Sequence, residues 1–137
     1  MKLGTLITIH SILLFLFGLG FLLVPSWMLS VYDTSTNTTG LLTARVFGIG
    51  NIQLSIIMWI SRNEVGSKIL KTLVLLLFLG NALAFMLALL AQISGVFNLL
   101  GWTNVALYLL FAFGYGYFQL ILKGDKDENP GASEPSP

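Results

Sequence analysis

Of the polar side chains inside long apolar runs, six have the most chemistry to offer: His10, Arg45, Asn51, Gln53, Asn81 and Asn104. A polar group in hydrocarbon is costly unless it finds a partner, so its type and depth indicate its use. Arg45 is the only arginine within a run. Arginine keeps its charge where lysine would neutralise, and its planar fork fits a carboxylate or phosphate. Arg45 lies about 7 Å inside its run, and Asn104 falls at a similar depth on another. Together they suggest contact with an anionic ligand or lipid headgroup. The alternative is structural, with Arg45 snorkelling to the headgroups. His10 matches Gln53 in depth, and Asn51 matches Asn81. Interhelical hydrogen bonds are the expectation for both pairs, worth about 0.6 kcal/mol each on average.

The missing residues limit the chemistry further. No Asp or Glu occurs within the runs, whereas proton- and cation-coupled transporters rely on intramembrane carboxylates. A single histidine rules out the H-E-x-x-H zinc motif, and no G-x-S-x-G elbow is present. With no cysteine there is no thiol catalysis, thiolate metal site or disulfide. The expectation is a protein that is not an enzyme, with no catalytic residue, metal or cofactor of its own. A net charge of +1 with scattered basic residues gives no footprint for nucleic acid.

The elements that carry these residues follow from composition. Of 137 residues, 55% are hydrophobic and 9% charged, too few charges to cover a small soluble domain. The apolar residues form four runs, about 3–24, 41–60, 69–93 and 99–122, each long enough to cross hydrocarbon as a helix. Period-two alternation is absent, so a barrel is excluded. The fold class is therefore all-α, a four-transmembrane-helix bundle over residues 1–123. Residues 124–137, polar and proline-bearing, are expected to form a disordered cytoplasmic tail.

Lys2, Arg62, Lys68, Lys71, Lys123 and Lys126 gather at one side, while Pro25–Thr39 and Ser94–Asn98 contain no Lys or Arg. The positive-inside rule then puts both termini in the cytoplasm of a multi-pass inner-membrane protein. Trp27, Tyr32 and Trp102 belong at the outer boundary and Trp59 at the inner one. The first run exceeds a signal-peptide core and reads as a retained anchor.

F-G-x-G occurs at Phe17–Gly20, Phe47–Gly50 and Phe113–Gly116, and the last two extend to F-G-x-G-x-x-Q-L. A duplicated hairpin would produce this. So would plain helix packing through small residues. Gly4, Thr8, Ser11 and Gly18 make such a seam on the first helix. Ala44, Gly48, Asn51 and Ser55 make one on the second, and Gly80, Ala84, Ala88, Ala91 and Gly95 one on the third. Asn37-Thr38-Thr39 is an N-glycosylation sequon in form.

The stretch Phe21–Pro25, then Asp33, Gly40 and Ala44-Arg45-Val46-Phe47-Gly48, resembles small four-helix bacterial inner-membrane proteins of the DoxX-like group. The resemblance extends weakly over residues 1–123. It implies a bundle in the bacterial cytoplasmic membrane and association with oxidoreductase or stress-related membrane complexes. The residues themselves favour an accessory or scaffold subunit that meets the lipid bilayer and a membrane-protein partner or its own copies. The rival is a small-molecule or lipid binder or transporter.

Overall fold

The structure, a computed structural model, describes residues 2–64 and 67–128, with side chains as far as Ile121. The helices are α1 (Leu3–Leu23), α2 (Pro25–Val31), α3 (Thr38–Ser61), α4 (Lys68–Ile93) and α5 (Gly101–Glu128). Of these, α1, α3, α4 and α5 are long and apolar enough to cross a membrane. The chain is an all-helical, multi-pass membrane protein.

Local chemistry sets the boundaries. Pro25 ends α1 and occupies the first turn of α2, where its fixed φ suits a helix and its missing N–H costs nothing. The first connector is thus partly helical. Asn37 caps α3, its Oδ1 accepting the Gly40 N–H at 2.9 Å, so α3 starts ahead of Leu41. Ser67 caps α4 through the Leu70 N–H at 3.1 Å. The sequence has no proline between Pro25 and Pro130, and α5 continues to Glu128. That corrects the first part of the expected disordered tail; residues 129–137 lie outside the described residues.

Packing divides the bundle into two pairs. α1 lies along α3, α4 lies along α5, and the pairs touch each other sparsely. Gly18 and Gly48 let α1 and α3 meet backbone to backbone. A Cβ on Gly48 would come within 2.7 Å of the Gly18 carbonyl oxygen and the Leu22 nitrogen. Ser11 and Ser55 are buried in the same pair. Their hydroxyls donate to carbonyls of their own helices, Thr8 at 2.8 Å and Ile52 at 2.7 Å. The seams of α1 and α3 pack against each other.

The seam of α4 behaves differently. Gly80 and Gly95 face open space, and Ala84, Ala88 and Ala91 wall a cavity. The F-G-x-G motif is not a contact repeat either. Gly48 faces α1 and Gly50 faces nothing, whereas Gly114 receives Leu6 of α1 and Gly116 receives Phe78 of α4.

The two pairs are joined at both ends. Near the termini, Leu6 and Ile7 of α1 and Met58 of α3 pack with Leu70, Val74 and Leu77 of α4 and Phe111 and Tyr115 of α5. At the far end the α4–α5 loop grips the end of α2. Asn98 Nδ2 donates to the Val31 carbonyl at 2.9 Å, and its backbone N–H donates to the Tyr32 carbonyl at 3.2 Å. Gln92 Nε2 steadies that loop through the Asn98 carbonyl at 3.1 Å. Asp33, at φ 56°, turns the chain out of α2, a conformation aspartate tolerates better than most residues.

Candidate functional site: a cavity between the helix pairs

The pairs meet near the termini and again at the α2 end, and between those joints they flank a partly open cavity of about 430 Å³. α1 contributes His10, Leu13, Leu14, Phe17 and Phe21 to its wall, and α3 contributes Phe47 and Asn51. α4 contributes Ala84, Leu87, Ala88 and Ala91, whose three alanines leave the space that larger residues would fill. α5 supplies Asn104, Leu107, Tyr108 and Phe111, with Tyr32 and Phe97 at the α2 end. No Lys, Arg, Asp or Glu lines it.

At the end nearer the termini, His10 Nδ1 and the Tyr115 hydroxyl share a buried hydrogen bond at 3.0 Å. The His10 ring also stacks on Phe111, with centroids 3.9 Å apart and an interplanar angle of 16°. This links α1 to α5 across the sparse interface between the pairs. His10 therefore makes an interhelical contact, but with Tyr115 and not with Gln53. Gln53 is exposed on α3, because it lies about 160° round the helix from the cavity-lining Asn51.

At the α2 end, the Tyr32 hydroxyl donates to Asn104 Oδ1 at 3.1 Å, and the Tyr32 ring meets Phe97 edge-on at 5.7 Å. Tyr32 is only 8% exposed. It packs inside the bundle, whereas Trp27, Trp59 and Trp102 are all well exposed. Arg62 stacks over Trp59, its guanidinium carbon 3.5 Å from the ring centroid.

Arg45 does not join Asn104. It is exposed and absent from the cavity wall, lying roughly 120° round α3 from Asn51 and 160° from Phe47. Helix rotation separates the two side chains. Asn51 and Asn81 likewise share no hydrogen bond among the described residues. Asn81 donates Nδ2 to the Leu77 carbonyl of its own helix at 2.7 Å, and Asn51 faces the cavity. Tyr32 and Tyr108 are the wall residues that sequence reasoning missed. A tyrosine on an apolar helix face gives no sign that its hydroxyl meets a cavity.

The arrangement can hold a neutral, mostly apolar molecule and offer it a few hydrogen bonds. Among the described residues no cluster of His, Asp or Glu could hold a metal ion. No family model, no curated protein and no solved structure matches the chain.

Proposed function

We propose that this protein binds a small lipophilic molecule within the bilayer and has no catalytic activity of its own. The cavity carries the reading. Ligand sites are typically enclosures of roughly 300–1,000 Å³, walled by apolar and aromatic groups with a few placed polar ones, and this one fits at about 430 Å³. Its apolar wall makes filling with water unfavourable. An anionic occupant of the cavity has no cation to meet it, because Arg45 is exposed and absent from the wall. Organic extraction of the purified chain should yield a neutral lipophile at close to one per chain. An extract holding only the lipids of the surrounding bilayer, in their bulk proportions, would oppose the reading.

A scaffold or oligomeric role has one observation of its own. Gln53 is exposed on a membrane-spanning helix, and Gly50, one turn away, has open space above it. An amide facing hydrocarbon calls for a partner. Chemical cross-linking in vesicles should then trap an oligomer that Gln53→Leu abolishes.

For orientation, the clustering of Lys and Arg supports both termini in the cytoplasm of a cell membrane. The chain has no native cysteine, so Thr36→Cys, at an exposed position, provides a clean test. A membrane-impermeant maleimide should label it from outside intact cells. Labelling only after lysis would reverse the orientation.

A further inference from the structure

We infer that the occupant is an uncharged amphiphile, an apolar body carrying one hydroxyl or carbonyl group. It enters from the bilayer between α3 and α4 and is recognised by the side-chain amide of Asn51. The inference rests on the binding role proposed above and names the ligand's chemistry and route.

The opening is set by the wall itself. α3 supplies only Phe47 and Asn51, one helical turn apart. Phe47 is 51% exposed although it lines the cavity, and so is Leu87 on α4, at 69%. These two side chains form a rim facing the lipid, and α3 and α4 are among the sparsely packed neighbours. An apolar molecule can pass there without crossing a polar layer.

Asn51 stands just inside that rim. Elsewhere in the wall, His10 Nδ1 is bonded to the Tyr115 hydroxyl and the Asn104 Oδ1 accepts from the Tyr32 hydroxyl. Asn51 is half-buried, lines the cavity and makes no side-chain hydrogen bond among the described residues. Tyr108 is a second wall residue with no side-chain hydrogen bond among the described residues. An amide facing an apolar space is poorly solvated until an occupant supplies a hydrogen-bond partner, so a hydroxyl or carbonyl is preferred to bare hydrocarbon. A carboxylate or phosphate would have to shed its hydration with no cation in the wall to receive it.

The test uses three photoreactive probes of equal chain length in phosphatidylcholine vesicles holding the full chain: a long-chain alcohol, the matching fatty acid and the matching alkane. Each carries a diazirine at the same carbon, and labelled residues are mapped by mass spectrometry. The alcohol should label Ala88, Leu107 and Phe111, which line the cavity and are not exposed to lipid, roughly fivefold more than the alkane, and the acid should label them least. Asn51→Leu should bring the alcohol down to the alkane level and leave alkane labelling unchanged, which also shows the cavity intact. Asn51→Gln, which keeps the amide, should restore part of the preference. Equal labelling by alcohol and alkane, preferred labelling by the acid, or an unchanged preference in Asn51→Leu would overturn the inference while leaving a binding cavity. Labelling confined to lipid-facing residues for every probe would overturn the binding role itself.

Discussion

Gly48→Leu will separate α1 from α3 and abolish the native bundle, whereas Gly50→Leu, two residues away, will leave it intact. The first methyl at Gly48 already meets backbone at 2.7 Å on two atoms, the Gly18 carbonyl oxygen and the Leu22 nitrogen. Backbone cannot rotate aside as a side chain does, so the helices must part. At Gly50 a new side chain meets nothing within 4 Å. The alanine variants should differ in the same direction. Alanine gains about 1 kcal/mol over glycine in a helix interior, a gain retained at Gly50. At Gly48 it is outweighed by overpacking of about 1–3 kcal/mol. Unfolding in a sodium dodecyl sulfate titration, followed by circular dichroism, reads the difference. Equal stability of the two alanine variants would show that the α1–α3 crossing does not depend on this contact.

That comparison also shows how far the sequence could be read. The apolar runs fixed four crossings because their lengths match the hydrocarbon and leave a helix few alternatives. The seams of α1 and α3 were legible for a related reason: serine and glycine at helical spacing allow close approach. The α4 seam is also built of small residues at helical spacing, yet its alanines wall a cavity. Small residues report available space without saying whether a helix or a ligand fills it. The polar residues were harder still. Depth follows from counting along a helix, but rotation depends on which helices are neighbours. Arg45 and Gln53 are both exposed on α3 and absent from the cavity wall, which counting along the helix does not reveal. Tyr32 and Tyr115, which complete the bonds to Asn104 and His10, stand far away in sequence and carried no signal.

Loss of the His10–Tyr115 bond should loosen the link between the two helix pairs. Both side chains are buried, at 5% and 0% exposed. His10→Leu leaves the tyrosine hydroxyl without its partner, and Tyr115→Phe does the same to the imidazole. Each single change should therefore cost about 1–3 kcal/mol. The double variant removes both polar groups and should cost clearly less than the sum. Additive losses in that double-mutant cycle would mean the pair is not coupled. The effect should exceed that of a lipid-facing substitution such as Leu83→Ala, since Leu83 is 64% exposed.

The most direct test of a lipophile held between the helix pairs is saturable binding of a neutral apolar fluorophore, diphenylhexatriene, to the purified chain. Wild type should be compared with Ala88→Trp, which fills the cavity from the α4 wall. The account predicts one saturable site per chain in wild type and none in Ala88→Trp, with closely similar circular-dichroism spectra and unfolding midpoints. Equal saturable binding by two equally folded proteins would contradict it.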